Sequence, residues 1–264
     1  MRQTNLPIFI PHAGCTHRCS FCDQRVIGGS VRLPSPEEVS AILAEQQPRL
    51  ERSDTAAQIA FFGGSFTAVE RSYMTALLET ARSFVRRFPR QYNGIRCSTR
   101  PDAIDPGIVG ILKEYGVTAV ELGAQSMSDE VLLANRRGHT AAQVVRAAEL
   151  LKESGFELGL QMMTGLYRDT RERCLATARA FLSMKCDTVR IYPTVILKGT
   201  FLGELYERGE YQSFGFDETI DLCAELLELF DRAGIRVIRL GLHASPEVER
   251  DMLGGVYHPA FREL

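Results

Sequence analysis

The sequence predicts an α/β protein built as a partial (β/α)6 TIM-like barrel with a C-terminal α/β extension. Three observations carry this. Short β-branched or aromatic runs alternate with longer amphipathic stretches from the start to about Pro193, helix start and stop residues stand between them, and the pattern changes from Thr194 onward. The strand runs are residues 6–10, 58–62, 95–99, 118–122, 157–162 and 188–192. Between the first two, Ser35-Pro36-Glu37-Glu38 offers an N-cap serine, a proline at the first helical position and a reciprocal glutamate. Gly155 offers a left-handed stop after the periodic stretch 141–151. Six strand-helix units fall short of the eight of a closed barrel, so one sheet edge needs a cover. Residues 1–193 are expected to form the partial barrel. Residues 194–264 are expected to form an extension packed on it, with a helix over 217–232 and a strand over 236–240.

A chain of 264 residues with 45% hydrophobic content can bury one large core. Its 31 lysines and arginines against 33 acidic residues leave no overall positive field to gather phosphates, so any nucleic-acid contact has to be local. The densest basic cluster, Arg86, Arg87 and Arg90, ends an amphipathic helix, where cations suit the helix dipole. No apolar run approaches the roughly 20 residues of a membrane span, and the first residues lack a secretory pattern. A cytoplasmic protein without membrane partners is expected.

Seven cysteines are an odd number, and three of them, Cys15, Cys19 and Cys22, fall within eight residues. Cys97, Cys174, Cys186 and Cys223 are scattered among apolar or helical neighbours and are assigned to packing. The cluster follows the first strand and so sits in a loop at its C-terminal end, where barrel active sites assemble. Three thiolates on one loop can hold a 4Fe-4S cluster and leave one iron open to a small molecule. A structural zinc site with His12 or His17 as fourth ligand is an alternative, although zinc spacing normally comes as two separated pairs. A redox pair of Cys19 and Cys22 would leave Cys15 unexplained.

The C-x3-C-x2-C spacing, with Phe21 immediately before the third cysteine, resembles the radical S-adenosylmethionine (SAM) superfamily. Within it, five stretches are similar to the radical domain of the catalytic subunit of Elongator. They are Phe9-Ile10-Pro11-His12-Ala13-Gly14-Cys15, Phe61-Phe62-Gly63-Gly64-Ser65-Phe66, Thr99-Arg100-Pro101-Asp102, Glu121-Leu122-Gly123-Ala124-Gln125-Ser126 and Arg190-Ile191-Tyr192-Pro193-Thr194. Oxygen-independent coproporphyrinogen oxidase is a more distant likeness. The resemblance implies a cluster on Cys15, Cys19 and Cys22. It implies cofactor contacts from Phe21 and from Gly63, Gly64 and Ser65, the last three around the methionine amino group. Gln125 and Arg136 match further cofactor contacts, with the arginine a natural clamp for the methionine carboxylate.

Each assignment has a plainer counterpart. The glycine pair can be a tight strand-to-helix turn. Glu121 and Gln125 can bond a neighbouring loop instead of a nucleoside, and Arg136 with Arg137 can be a helix-end pair. Gln161 interrupts the apolar fifth strand, where related families often carry an acidic residue, and is read as a hydrogen-bonding partner of the ribose. Arg100 and Arg190 leave strand ends and face either substrate or carboxylates such as Asp102. Tyr192 either places a hydroxyl near the radical or packs.

The chemistry the resemblance implies is reductive cleavage of SAM to a 5′-deoxyadenosyl radical, which abstracts hydrogen from an organic substrate. An external electron donor of flavodoxin or ferredoxin type is implied, and an RNA base is the candidate substrate. The acetyl-transferring domain and the basic tRNA-binding region of the Elongator family have no counterpart in these residues, so that family's uridine carboxymethylation is not carried over. The final residues, 258–264, read as mid-domain, which points to truncation relative to relatives. The alternative from a different class is a non-catalytic iron-sulfur or zinc module that senses redox state or binds a partner.

Overall fold

Successive side chains of a strand face opposite ways, so a strand covered by helices on one side and lining an interior on the other carries two different residue sets. The computed structural model, which describes residues 2–11, 14–15, 19–23, 32–243 and 245–263, shows this arrangement. Seven strands form one parallel sheet in the order β1-β2-β3-β4-β5-β6-β8, curled into a half-barrel. They are β1 (Arg2–Ile10), β2 (Thr55–Gly63), β3 (Tyr92–Thr99), β4 (Val117–Gln125), β5 (Glu157–Thr164), β6 (Thr188–Pro193) and β8 (Arg236–Leu240). A separate antiparallel pair, β7 (Val195–Leu197) with β9 (Met252–Gly255), lies beyond β6.

All six expected strands are present, and the observed ones run longer. The seventh differs in kind from expectation. β8 does not merely pack on the barrel but pairs with β6 in parallel register, Val189 opposite Val237. It therefore continues the sheet and covers the edge that six strands would leave open.

The crossover helices are α1 (Pro36–Glu51), α2 (Arg71–Arg87), α3 (Pro106–Glu114), α4 (Asp129–Ala134), α5 (Ala141–Glu153) and α6 (Arg171–Ser183), followed by α7 (Phe201–Glu207), α8 (Phe216–Arg232) and α9 (Pro246–Asp251). Their starts are encoded locally. Ser35 and Glu38 form the reciprocal capping box at α1, Thr140 and Gln143 repeat it at α5, and Asp105 caps α3 ahead of Pro106. Gly155 takes up a left-handed conformation just after α5, as its sequence position suggests. The apolar core lies between sheet and helices and includes Ile8, Ile59, Phe61, Leu77, Leu122, Leu160, Phe181, Leu226 and Phe230. Cys97, Cys174, Cys186 and Cys223 are all buried as small apolar groups. Among the described residues no helix is long and apolar enough to cross a membrane.

The opposite face of the sheet, the barrel interior, is charged. Glu121 on β4 is 1% exposed and receives Arg96 from β3 (Nη1 to Oε1, 3.2 Å), Arg190 from β6 (Nε to Oε2, 2.6 Å; Nη2 to Oε1, 2.9 Å) and Gln161 from β5 (Nε2 to Oε2, 2.8 Å). Arg96 in turn reaches Glu157 at 2.6 Å and Gln58 at 2.8 Å. Burial alone would raise the Glu121 carboxyl; Arg190, Arg96 and Gln161 together outweigh it and hold the group below its ordinary value. Gly159 makes room for this carboxylate, since a Cβ there would stand 2.7 Å from Glu121 Cγ. Removing Arg96 takes one donor each from Glu121, Gln58 and Glu157, while Arg190 still faces Glu121. Arg96→Ala is therefore expected to destabilise the fold by about 1–3 kcal/mol, read as a lowered denaturant midpoint with an unchanged slope.

Candidate active site

The carboxyl end of a parallel sheet gathers the loops that leave its strands, and the cysteine loop leaves β1 there. Two contacts fix where it starts. Gly64 N–H donates to Ile10 O at 2.7 Å, tying the glycine turn after β2 to the end of β1. Gly14, with φ +70°, lies so close to that turn that a Cβ would meet Ser65 O and stand 2.7 Å from Ala68 C and 2.8 Å from Val69 N. The loop thus enters by resting directly on the Gly63-Gly64-Ser65 turn. Ser65 Oγ is shared with Thr99 Oγ1 at 2.8 Å and accepts from Arg100 N–H at 3.2 Å, which joins the turn to the end of β3.

The second half of the loop is held from the other side. Ser20 is fully buried; its N–H donates to Asn135 O at 3.0 Å, its hydroxyl to Asn135 Oδ1 at 2.6 Å, and its carbonyl accepts from Leu202 N–H at 2.7 Å. Cys22 N–H donates to Cys19 O at 3.2 Å. Arg137, itself buried, donates to Cys19 Sγ at 3.0 Å and to the Gly123 carbonyl of β4. Phe21 is half-buried against the apolar cluster of Ile196, Leu202, Leu205 and Tyr211.

Burial pushes the Cys15 and Cys22 thiols up, and Cys19 and Cys15 raise Cys22 further, so the three sulfurs lie within electrostatic reach of one another. Thiols in this setting ionise when a metal supplies the compensating charge. Among the described residues the loop offers three sulfurs, one of them bonded to a guanidinium. Among the described residues no three His, Cys, Asp or Glu side chains close on a single metal ion.

Among the described residues seven buried side-chain polar atoms lack partners, and four of them belong to residues at this end of the barrel: Gln125 Oε1, Arg100 Nη1, Arg137 Nε and His139 Nδ1. Each such atom costs about 1–3 kcal/mol when left dry. Gln125 closes β4 at a break in the β4–β5 register with φ +65°, a left-handed conformation uncommon for a residue with a side chain. Arg100 is pinned by Asp102 through two contacts of 2.9 Å. One acceptor and two guanidinium N–H groups suit the ammonium and carboxylate of an amino acid. The residues present therefore fit both an iron-sulfur cluster and the methionine end of SAM.

Of the residues singled out in the sequence, Cys15, Cys19, Cys22, Gly63, Gly64, Ser65 and Gln125 come together at this end of the barrel. Glu121, Gln161 and Arg190 meet one another in the charged layer of the interior, and both Glu121 oxygens are filled there. Tyr192 follows Arg190 by two residues and so shares its side of β6; burial raises its hydroxyl and Arg190 opposes that. Arg136 is not brought to the site. It is exposed, and its guanidinium stacks 3.5 Å from the centroid of Phe201. His12 and His17 lie outside the described residues.

Sequence reasoning gave Arg96 and Asn135 no role of their own and read Arg137 only as a helix-end partner of Arg136. The swap of Arg136 for Arg137 has a backbone cause. α4 ends in a Schellman motif, with Arg136 N–H on Leu133 O at 3.0 Å and Arg137 N–H on Leu132 O at 2.9 Å. That motif places Arg136 in the left-handed region, φ +54°, and turns it outward. Glycine at that position would have announced the turn; an arginine there conceals it.

Comparison with known proteins fits this geometry. Residues 9–181 match the model of the Radical SAM superfamily, and residues 186–264 match the Radical_SAM C-terminal domain. The chain belongs to the radical SAM superfamily. It is 28% identical over 243 residues to the human Elongator complex protein 3, covering 83% of this chain and 43% of that protein. The chain thus spans about two fifths of the length of its Elongator relatives. In fold it is similar to the archaeal Methanocaldococcus infernus Elp3 lacking its N-terminus (TM-score 0.72, 19% identity, 95% of this chain and 62% of that one). It is also similar to coproporphyrinogen III oxidase from Escherichia coli, a radical SAM enzyme (TM-score 0.61, 17% identity, 88% and 53%). Membership places the chain in a class of enzymes and implies, as the class's cofactors, a 4Fe-4S cluster and SAM.

His139, 5% exposed and packed on the Ala124 carbonyl at 3.2 Å, is pushed down from 6.5 to about 4 by burial and then by Arg137. Its folded value lies below its unfolded one, so the unfolded chain takes up the proton first as pH falls. Stability is expected to be full above about pH 6.5 and to drop by about 3 kcal/mol by pH 4. His139→Gln should flatten that segment of a stability-against-pH curve measured by urea unfolding.

Proposed function

We propose that Cys15, Cys19 and Cys22 ligate the 4Fe-4S cluster and that the turn Gly63-Gly64-Ser65, Gln125, Arg137 and Gln161 bind SAM beside it. The observation that carries this reading is the juxtaposition of three pinned cysteines with four buried polar atoms that lack partners. When bound, the cluster supplies the electron that cleaves SAM to a 5′-deoxyadenosyl radical. The chain's own groups do the rest. Arg137 holds the cysteine loop against β4 and offers its remaining N–H to a carboxylate, in the role the sequence likeness gives to Arg136. Gln161, whose Nε2 is committed to Glu121, presents its Oε1 as an acceptor for a hydroxyl.

Glu121 orders the layer beneath instead of touching the ligand. Arg190 and Tyr192, on the interior side of β6, are the groups that face a substrate placed over the barrel. A division of the chain near residue 193, with β8 lent back to the barrel sheet, belongs to the same reading. So does cytoplasmic work with an external flavodoxin or ferredoxin as electron source. The substrate is an organic molecule with an abstractable hydrogen, and the Elongator likeness supports an RNA base.

Purified without oxygen, loaded with iron and sulfide and given dithionite, the protein is expected to convert SAM to 5′-deoxyadenosine. Cys15→Ala should lose cluster iron and this product together, while Arg137→Ala should lower the iron content part-way, through the lost Cys19 contact, and weaken SAM binding of the loaded fraction by on the order of 10- to 100-fold. One zinc per chain, with no 5′-deoxyadenosine from any preparation, would instead support the non-catalytic module.

A further inference from the structure

The same two contacts that grip the cysteine loop also build a surface outside it. Ser20 is held by Asn135 and Leu202, and the next residue after the first and the one before the second, Arg136 and Phe201, stack on each other at the surface. One peptide bond and one hydrogen bond therefore separate Cys19 from the Asn135–Arg136 backbone. Around the stacked pair the surface is apolar and cationic. Leu133, which accepts the Arg136 N–H, is 82% exposed, the most exposed large hydrophobic residue among those described. Asn135 Nδ2 donates to Tyr167 O at 2.9 Å, bringing Arg168 alongside, again exposed and again left-handed at φ +66°. Neither Arg136 nor Arg168 has a carboxylate in ion-pair range among the described residues, whereas the nearby Arg173 is paired with Glu130. Glu204, one turn along α7 from Phe201, is the acidic group on that helix face.

An exposed leucine, with two exposed guanidiniums that have no carboxylate partner among the described residues, suits a partner with carboxylates around a small apolar centre. We propose that the face formed by Leu133, Arg136, Phe201 and Arg168 docks an acidic one-electron carrier protein. The proposal rests on the radical-enzyme reading and names where its electron enters. The reduced carrier loses one electron, the cluster on the three cysteines gains it, and no proton or group is transferred. Charge gives the encounter its speed and its salt dependence, and the leucine gives it a dry contact. The short route from this face through Asn135 and Ser20 to Cys19 is what recommends it over other surface patches.

The experiment uses the full chain with two probes, a flavodoxin and a two-cluster ferredoxin, in the wild type, in Arg136→Glu/Arg168→Glu and in Leu133→Glu. Binding of each carrier is measured by titration calorimetry at low and at high salt, and cluster reduction by absorbance with the photoreduced carrier and, separately, with dithionite. For at least one carrier, the double variant is expected to bind on the order of tenfold or more weakly at low salt, with the gap closing at high salt. Carrier-driven reduction should slow in step while dithionite reduction is unchanged. Leu133→Glu removes no packing and should act in the same direction. Equal binding by wild type and variants, no binding of either carrier to the wild type, or self-association of the chain through this face would each overturn the proposal. Failure of dithionite to reduce the loaded wild type would speak against the radical-enzyme reading, and the binding titration decides the docking face independently of it.

Discussion

One guanidinium holds the site in register with the fold. Arg137 bonds the last turns of β4 through Gly123 O and the cysteine loop through Cys19 Sγ, so the position of a sulfur is set by the position of a strand. A loop of small and polar residues has few apolar contacts with which to order itself, and its three cysteines would otherwise sample many separations. Here the loop is clamped on two sides. Gly14 rests on the turn after β2, and Ser20 is bonded to α4 and α7 through Asn135 and Leu202. Ordering by the scaffold before the ligand arrives lowers the entropy that binding must overcome.

Beneath that clamp the barrel interior is charged where a closed barrel would be filled with aliphatic side chains. Two guanidiniums and an amide converge on one carboxylate, Glu121, and the four groups come from four different strands. Such a layer gains less stability than an apolar one of equal volume, because both signs of charge are removed from water. What it provides is direction. Every hydrogen bond to Glu121 fixes a rotamer, and the absence of a side chain at Gly159 leaves the carboxylate a single place to stand. The half-barrel therefore keeps a polar floor with defined geometry under the mouth where the thiols lie.

The sequence disclosed what depends on neighbours along the chain. Strand runs, the α1 capping box, the glycine stop at Gly155 and the three-cysteine spacing are local patterns, and the structure contains the first three where they were expected. Strand lengths were underestimated because β4 and β5 continue past their apolar runs into Gly123–Gln125 and Met163–Thr164, residues whose place in the ladder is set by the partner strand. β8 was legible as a strand but not as the seventh member of the barrel sheet, since pairing with β6 is a contact across nearly 50 residues. Arg96 and Asn135 were invisible for the same reason. Arg137 was hidden by a left-handed arginine, and Glu121 looked like a ligand contact because a polar residue in an apolar strand signals a need for partners without naming them.

Holding groups and receiving groups differ in how much of their bonding capacity the fold uses. Glu121 accepts four donors through its two oxygens and has none left for a ligand. Asn135 spends its amide on Val131 and Tyr167 and its carbonyl groups on Ser20. These are groups that hold. Gln125, Arg100 and Arg137 are equally buried, yet each keeps an atom with nothing to bond. A fold that fills both oxygens of Glu121 and leaves bonding atoms of Gln125, Arg100 and Arg137 open above it has divided its interior into a part that supports and a part that receives. The three cysteines stand at the edge of the part that receives.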